Sequence, residues 1–357
     1  MMKKHWTLLF LLVFLAAVSG GCASEKKNLQ SRLPVKVLIL PKFEVGNMEG
    51  DFPGEAQYYY EGYLSGGKEY ALKGAGDGTK LYYKNGVAMC VTGMGKVSAA
   101  LHTAAALSDE RFDFSKAYIL STGCAGSAEG YGVMGDVYIL SAAVDYDLGH
   151  HADPREMSEE RATTWFHDDS YDEYAVIETD PTLTAKVYDL VKDIRLETTE
   201  RTAEYMRIAF PGEAWADREP RVLRGTAVSG DNFWKGRYDH QNVLLMMKTY
   251  GCTDPYAVTE MEEIAVGRAV KNFGLLDRLI ILRDSVNTDV FMQGATPESL
   301  WEQMADDELA SEESVESLDI FPVARRNNYT VGKTIIDAIL AGSLESVPDS
   351  SVNAAGG

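Results

Sequence analysis

The feature that most constrains this chain is an alternation of short apolar runs with segments of helical period. Seven runs are rich in branched residues, and several lead into a turn that contains glycine, which is typical of β-strands. Together with the helical segments between them, they predict a single three-layer α/β domain with a mixed central sheet covered on both faces. The predicted strands are residues 35–40, 86–93, 116–123, 135–147, 224–231, 256–262 and 278–287.

Helical periodicity is clearest in three segments. Residues 95–109 carry one apolar stripe, and residues 180–194 begin with Asp180 as the N-cap and Pro181 at the first helical position. A last amphipathic helix is predicted at about residues 329–341. No internal repeat or linker interrupts this part of the chain, so one domain is expected.

Two polar stretches separate these elements. Residues 148–178 predict an irregular surface loop or lid that carries His150, His151 and His167. Adjacent histidines on such a loop are usually solvated. Residues 302–319 are strongly acidic and predict a solvated helix or loop.

The N-terminal segment is typical of an export signal. A short basic stretch precedes an apolar run that ends in small residues, so residues 1–22 predict a signal peptide with a lipoprotein-like cleavage site before Cys22. A linker at 23–33, the domain at 34–345 and a disordered tail at 346–357 follow. No later stretch has the ~20 apolar residues of a membrane span. We therefore expect an exported, periplasmic or cell-envelope lipoprotein that meets the membrane only through its N-terminal lipid or signal anchor.

The charge and the cysteines exclude several classes of site. A formal net charge of −20 argues against nucleic-acid binding over a broad surface, because phosphate contacts require a basic field. One small anion in a local pocket is compatible with this charge. Cys90, Cys124 and Cys252 are an odd set without metal-ligand spacing, so we expect small buried side chains and no disulfide scaffold or metal site.

Candidate sites are the turns after the strands, because ligands of α/β sheets bind beyond the carboxyl ends of strands. The turn at 91–100 brings the backbone close to a ligand through Gly93 and Gly95. It opens a helix whose first N–H groups, with the Ser98 hydroxyl, are suited to hold an anion. A tight turn that only packs would have the same pattern.

Two further turns, at 121–127 and 228–236, have residues suited to form the walls of a pocket for a flat aromatic ring. The first consists of small residues that leave room, and the second has two aromatic side chains suited to stack on a base. A plain turn and ordinary core or lid packing are the alternatives. The residues concerned are Thr122, Gly123, Gly126, Asp231, Phe233 and Trp234.

The strand end at 256–262 holds carboxylates inside a core-like segment. A buried carboxylate is costly unless it is hydrogen-bonded, so we expect at least one of Glu260, Glu262 and Glu263 to face a cavity or a ligand hydroxyl. The next strand end offers acid, base and amide donors at Arg283, Asp284, Asn287 and Asp289.

Taken in order, these turns resemble those of the nucleoside phosphorylase and nucleosidase superfamily, whose members cleave the N-glycosidic bond of nucleosides. The segments TGMGKVSAA, STGCAGS, VSGDNFW, TEMEE and RDSVN follow that order with similar spacing across roughly residues 35–290. Within the superfamily the chain is most similar to the purine nucleoside permeases, which share the fold and carry a transport name. The insert at 148–178 fits this subgroup.

The resemblance implies which residues contact the sugar and the attacking group. Glu262 would accept hydrogen bonds from the 2′ and 3′ hydroxyls of ribose, and Met261 would lie along the sugar. Ser98 and the amides near Gly93 and Gly95 match the side of the attacking phosphate or water.

The resemblance also implies the base side of the pocket. Phe233 matches the aromatic residue beside the base, and residues 122–126 match part of the wall. Asn287 matches the residue at the purine N7, where many relatives have Asp; an amide there would stabilise negative charge on a leaving 6-oxopurine by a hydrogen bond. Asp284 or Asp289 is the alternative source of an acid.

Other implications concern catalysis and assembly. Glu44 is the nearest candidate for the catalytic Glu that follows the first strand in nucleosidases. Arginines that grip phosphate have no clear match, which favours hydrolysis, or binding without chemistry. The histidines of the insert are candidates above the ribose 5′-hydroxyl. Relatives often complete the pocket across a subunit interface, so a homo-oligomer is possible.

Two functions follow from this resemblance. The first is a purine nucleoside phosphorylase or nucleosidase that uses no metal or other cofactor, with phosphate as a possible co-substrate. The second is a non-catalytic nucleoside-binding component of nucleoside uptake.

Overall fold

The fold places two layers of helices around a mixed β-sheet. The computed structural model describes residues 32–76, 78–158, 161, 163–295 and 320–345. The predicted signal peptide with Cys22, the acidic segment 302–319 and the tail 346–357 lie outside the described residues. Within the described part of the chain, no helix is both long enough and apolar enough to cross a membrane.

Each predicted strand is present, with ends displaced by at most four residues, so the predicted α/β class is confirmed. The other seven strands of the described residues, each of two to five residues, were not predicted. In chain order, strands β1 to β14 are Leu33–Pro34, Val37–Leu40, Lys68–Ala71, Lys80–Lys84, Val87–Met89, Phe112–Asp113, Tyr118–Ser127, Val137–Asp145, His150–His151, Trp165–Phe166, Val176–Glu178, Val222–Ser229, Tyr256–Glu260 and Leu279–Thr288.

The main sheet has the order β11-β8-β12-β13-β7-β2-β5-β4-β3. Strand β14 pairs in parallel with β7 and antiparallel with β8, so β8, β12, β13, β7 and β14 close into a ring. The remaining strands extend this ring as an open sheet. The closed part of the sheet therefore brings the ends of β7, β13 and β14 together.

Helices α1 to α8 are Gln57–Tyr59, Lys96–Leu107, Asp172–Ala175, Pro181–Val191, Glu200–Ala209, Arg237–Thr249, Glu263–Asn272 and Ile320–Leu340. The predicted N-cap of α4 is confirmed, because the Asp180 side chain accepts a hydrogen bond from the Leu183 N–H with Pro181 at the first helical position. A π-helical turn, Tyr60–Leu64, continues α1.

Alternate residues of the central strands enter two different apolar clusters. Leu38 and Ile281 pack under α2 and α7, whereas the adjacent Ile39 and Leu282 pack under α4 and α8. This period of two is the one expected for a sheet that is buried on both faces.

Two helical predictions need correction. The described part of the last helix begins at Ile320 and not near 329. Its first turn buries apolar residues, but the polar Arg325, Asn327 and Asn328, which are buried next, interrupt the apolar pattern in the sequence. The apolar stripe of α2 faces outward: Val97 is 72% exposed, while smaller residues of this helix fill the core.

The polar insert is more ordered than predicted. Trp165–Phe166 pairs antiparallel with His150–His151, and Val176–Glu178 adds a strand to the edge of the main sheet beside β8. The Trp165 side chain is buried and donates a hydrogen bond to the Leu148 carbonyl. The insert is therefore anchored by Trp165 in an apolar cluster that it shares with residues outside the insert, such as Tyr146 and Val243.

Candidate functional site

A cavity that is open to solvent lies at the ends of β2, β7, β13 and β14. This is the place where α/β sheets bind ligands. The predicted site residues that line it include Gly126, Phe233, Met261, Glu262 and Asn287. The fold thus unites residues that were predicted from four separate turns.

The buried Arg283 organises one wall of the cavity. Its guanidinium donates to the Glu263 carboxylate at 2.8 Å through Nε, to Glu262 at 2.9 Å and to Glu260 at 3.1 Å. It also donates to the Cys124 carbonyl at 2.8 Å. The rigid, planar guanidinium of Arg283 therefore fixes the positions of three neighbouring carboxylates.

The three glutamates have different tasks because β13 ends and α7 begins among them. Glu260 accepts hydrogen bonds from the N–H groups of Glu262 (2.6 Å) and Glu263 (2.9 Å) and from the Ser229 hydroxyl, so it caps α7. Glu263 lies in the first turn of α7, 3.4 Å from the Lys42 ammonium. Glu262 and Glu260 line the cavity, whereas Glu263 does not.

Burial and neighbouring charges set the protonation of this group. Burial raises the pKa of Glu260, and the charges of Glu263 and Glu262 add to the effect against that of Arg283. Burial also opposes the ionisation of Glu263, but Arg283 and Lys42 outweigh it and lower the pKa of Glu263. Glu263, which contacts both Arg283 and Lys42, therefore stays ionised more easily than Glu260.

The start of α2 accepts carboxylates. Gly95 has φ of +82°, and its N–H donates to Glu262 at 3.0 Å, while the Lys96 N–H donates to Asp231 at 2.8 Å. The Lys96 ammonium contacts Asp145 at 2.8 Å and Asp147 at 2.6 Å. Burial opposes the charge of Lys96, yet the hydrogen bonds with these two aspartates raise its pKa. The N–H groups of the N-cap residue and of the first residue of α2 are therefore already in use.

Gly93 and Ser98 form the tight part of this turn. Gly93 has φ of +81°, and a Cβ atom added to it would lie 2.9 Å from the Ser98 Cβ. Glycine is required there by both the backbone angle and the close approach. Neither residue lines the cavity, so they shape the turn from behind.

The loop after β12 covers the cavity with aromatic residues. Trp234 lines the cavity and stacks on Tyr146, with ring centroids 5.2 Å apart. The loop ends where the Gly236 N–H donates to the Asp289 carbonyl at 2.8 Å. Phe233 also lines the cavity, but it is 71% exposed at the mouth.

Glu44 does not line the cavity. Its carboxylate accepts hydrogen bonds from the N–H groups of Val45, Gly54, Ala56 and Gln57, so it closes the loop before α1. Burial raises the pKa of Glu44, while these backbone hydrogen bonds act against the rise. The structure thus places Glu44 as a cap and not at the position expected from the resemblance.

Glu55 occupies the cavity wall in its place. Its carboxylate accepts the Lys42 N–H and the Cys124 N–H, each at 2.7 Å, and the side chain is 6% exposed. A Cβ atom on Gly123 would lie 2.8 Å from this carboxylate, which explains the glycine in that turn. The sequence prediction missed Glu55 because it follows β2 at the end of a long loop, with no local pattern to mark it.

Asp284 and Thr122 face the opposite side of the sheet. Asp284 accepts a hydrogen bond from the Asn328 amide at 2.9 Å and pairs with Arg325, and the Thr122 hydroxyl donates to Asn328 at 2.8 Å. Burial, with the charge of Glu55, raises the pKa of Asp284 to about 7 against the effect of Arg325. Neither predicted residue contacts the cavity, because neighbours on a strand point to opposite faces.

Asn287 faces the cavity beyond a β-bulge. The register between β14 and β7 shifts between Ser285 and Asn287, which re-aims the Asn287 side chain toward Gly126. A Cβ atom on Gly126 would lie 2.5 Å from Oδ1 of the Asn287 side chain. Asp289, two residues on, accepts a hydrogen bond from the Glu129 N–H and pairs with His240 at 2.7 Å.

The histidines of the insert have partners away from the cavity. His150 lies 2.9 Å from Asp168, His167 lies 2.7 Å from Asp172, and His151 contacts the Tyr146 carbonyl. Surface pairs of this kind contribute little to stability. None of the three histidines lines the cavity.

Comparison with solved structures identifies nucleosidase-like folds. A futalosine hydrolase mutant of Helicobacter pylori superposes with a TM-score of 0.52 at 16% identity, covering 85% of this chain and 99% of that chain. A 5′-methylthioadenosine/S-adenosylhomocysteine nucleosidase of S. pneumoniae, with a transition-state inhibitor, has the same TM-score, identity and coverage. The corresponding nucleosidase of Colwellia psychrerythraea, in complex with adenine, has a TM-score of 0.51 at 15% identity, covering 87% of this chain and 96% of that chain.

Comparison of sequences identifies the family. A probable purine nucleoside permease of Schizosaccharomyces pombe is 26% identical over 227 residues, which are 57% of this chain and 64% of the relative. The match therefore spans less than two thirds of that curated protein. The family model for purine nucleoside permeases matches residues 34–344. Since this model covers most of the sequence, the chain belongs to the purine nucleoside permease family.

Proposed function

We propose that the cavity binds a purine nucleoside and that the protein cleaves its N-glycosidic bond with water. The observation that carries the proposal is the pair of buried carboxylates, Glu262 and Glu55, in one cavity that aromatic and amide side chains also line. The nucleosidase-like fold supports the same class of reaction.

Glu262 is suited to hold the sugar. Its two oxygens are oriented by Gly95 and Arg283, and each oxygen keeps a lone pair for a further donor. Two adjacent ribose hydroxyls are donors of that kind. The neighbouring Met261 lines the cavity and offers an apolar surface to the ring of the sugar.

Asn287 and the aromatic residues are suited to hold the base. Phe233 and Trp234 provide flat surfaces for a purine, and the absence of a Cβ atom on Gly126 leaves space beside Asn287. An amide N–H of Asn287 would donate to the purine N7 and stabilise the negative charge that grows on the base.

Glu55 is suited to activate water. Two backbone N–H groups hold its carboxylate in the wall, and its remaining lone pairs are available to a water molecule. The water oxygen would bond to the anomeric carbon while the bond to the base nitrogen breaks and its electron pair goes to the base. Glu55 takes a proton from the water and then releases it to solvent, and the leaving base takes up a proton from solvent, so nucleoside and water give ribose and free base.

The charges near α2 favour water over phosphate. Asp231 and Glu262 accept hydrogen bonds from the N–H groups of Lys96 and Gly95, two donors that would otherwise be free to hold an anion. Lys96 is neutralised by Asp145 and Asp147. A phosphate at this position would have to displace carboxylates and would face their repulsion.

The direct test is chromatography of inosine, guanosine and adenosine incubated with the purified protein, with and without phosphate. We expect free base and ribose at a rate that does not depend on phosphate. Glu55→Gln should lower this rate by about 10²-fold or more, which is a typical contribution of a general base. Glu49→Gln, an exposed residue of the same loop, is the matched control and should behave like the parent.

Two outcomes would contradict this proposal. Ribose 1-phosphate formed only with phosphate would identify a phosphorylase. Calorimetric binding of nucleosides without release of any base would support the second candidate function, nucleoside binding for uptake. The family's transport name favours that alternative, and so does Asn287, because a side-chain amide has no proton to transfer to the base.

We propose in addition that two copies of the chain associate beside the cavity. Met94 and Phe233 line the cavity and are 64% and 71% exposed, and Val97 and Leu101 extend this apolar surface along α2. Exposed apolar patches of this kind mark interaction sites. Sedimentation of the Leu101→Lys variant beside the parent tests the proposal, and an unchanged mass would reject it.

We also propose that the chain is exported and anchored through a lipid on Cys22, as the N-terminal pattern predicts. Replacement of Cys22 by Ser should move the protein from the membrane fraction to the soluble fraction. Equal membrane association of both forms would exclude a lipid anchor at this position.

A further inference from the structure

A second buried charge cluster lies where α8 packs against the sheet. Arg325 is its cation: the guanidinium pairs with Asp284 and lies 3.4 Å from a carboxylate oxygen of Glu55. The exposed fractions of Arg325, Asp284 and Glu55 are 3%, 0% and 6%. The cluster therefore connects the last helix directly to a residue of the cavity wall.

The composition of this cluster makes the two carboxylates compete. Arg325 is the cation that both contact, and its other polar atom, Nε, has no hydrogen-bond partner among the described residues. Its flat face lies over Phe321, 4.7 Å from the ring centroid. A buried carboxylate requires a compensating positive charge. The single charge of one guanidinium does not compensate two carboxylates when both are ionised.

The other groups around the cluster do not remove this competition. Glu55 also faces Arg283 across Gly123, but Arg283 is engaged by the three glutamates at the start of α7. The remaining neighbours are neutral donors or poor acids: Cys124 beside Glu55, and Asn328 and Tyr59 beside Asp284. Burial raises the pKa of the Cys124 thiol, so it adds no charge near neutral pH.

We infer that Arg325 is a positioning residue for Glu55, whose carboxylate it holds in the cavity wall in competition with Asp284. The inference rests on the proposed function, because it concerns the base of that reaction. Arg325 itself does not touch the cavity and acts through Glu55. The last helix thus contributes to the chemistry by the charge that it places behind the wall.

The first test is the pH dependence of nucleoside cleavage. Arg325→Met should move the acid limb of the pH profile of kcat to higher pH by about one unit or more. At a given pH on that limb, kcat should therefore fall about tenfold. KM should change little, because Glu262 and Asn287 are untouched, and Arg325→Lys should restore part of the shift. Asp284→Asn should move the limb to lower pH, because the competing acid is gone.

The matched control is Arg326→Met, on the next residue of the same helix. Arg326 is exposed and 3.6 Å from the surface residue Glu197, so its loss should leave the limb in place. A merely structural role for Arg325 would lower kcat equally at every pH, and that result would overturn the inference. A shift in the same direction for Asp284→Asn and Arg325→Met would overturn it as well.

The second test does not depend on catalysis. Infrared titration of the protein without ligand follows the carbonyl band of protonated Asp284, which the Asp284→Asn variant identifies. Arg325→Met should move this titration to higher pH, and Glu55→Gln should move it to lower pH. If the band titrates at the same pH as in the parent in both variants, the two carboxyls do not share the guanidinium of Arg325. If the parent cleaves no nucleoside, the proposed function fails, and this titration alone decides whether Arg325 holds both carboxyls.

Discussion

At the scale of single residues, Glu260, Glu262 and Glu263 show how neighbours in sequence acquire different tasks. Glu260 caps α7 and Glu263 pairs with Arg283 and Lys42, so both are used by the fold. Glu262 has a carboxylate in the cavity that is oriented from two sides. The sequence predicted that carboxylates in this core-like segment require hydrogen-bond partners. The contacts show that each of the three has different partners.

Substitution of Glu262 should affect binding more than turnover. Glu262→Ala removes two acceptors for ribose hydroxyls, so we expect nucleoside affinity to fall at least about tenfold, the loss for one or two hydrogen bonds to a charged group. Asn287→Ala should mainly lower kcat. Calorimetry and steady-state kinetics distinguish the two, with the exposed Glu173→Ala as control. Equal behaviour of both variants and the parent would refute the site assignment.

Asp284 should make stability depend on pH. Burial raises the pKa of its carboxyl from 3.8 to about 7, so the folded state prefers the protonated form. The corresponding stabilisation is fully present below pH 4 and is lost as the pH rises toward 7. Relative to Asp284→Asn, the parent should therefore lose up to about 1.4 kcal/mol of unfolding free energy per pH unit in this window. Urea unfolding between pH 4 and 8 measures the difference, and parallel curves would contradict it.

At the scale of elements, α2 joins the cavity to the surface. Its N-terminal N–H groups are held by Asp231 and Glu262, and its apolar stripe points away from the core. The stripe was visible in the sequence, but its direction was not, because the small residues that pack inward, such as Ala99 and Ala106, carry little hydrophobic signal.

Removal of the carboxylate at the start of α2 should weaken this helix. Asp231→Ala should lower the unfolding free energy by about 1 kcal/mol, the usual loss for a helix cap, and Asp231→Asn should lose less because it keeps an acceptor. Chemical denaturation measures both. If phosphate dependence of base release appeared in either variant, the carboxylate would be shown to exclude phosphate.

At the scale of the whole molecule, the ring formed by β8, β12, β13, β7 and β14 is what assembles the cavity. Its strands also separate two apolar clusters, with Ile281 in one and Leu282 in the other. Neighbouring residues of one strand therefore support opposite layers of the domain.

Both layers should prove necessary for stability. Ile281→Ala and Leu282→Ala should each lower the unfolding free energy by about 2–5 kcal/mol, because both side chains are fully buried. Val97→Ala, on the exposed face of α2, should change it by no more than about 0.5 kcal/mol. Equal losses in all three would contradict the assignment of layers.

The sequence by itself determined seven of the strands, the main helical segments and several residues of the cavity wall, because local period and glycine turns are properties of neighbouring residues. It did not determine that Glu55 and not Glu44 enters the wall, that Asp284 faces α8, or that α8 begins at Ile320. Those outcomes depend on contacts between distant parts of the chain, such as Gly95 with Glu262 and Arg325 with Glu55. A carboxylate's task depends on which partners compensate its charge, and only the tertiary structure brings those partners to it.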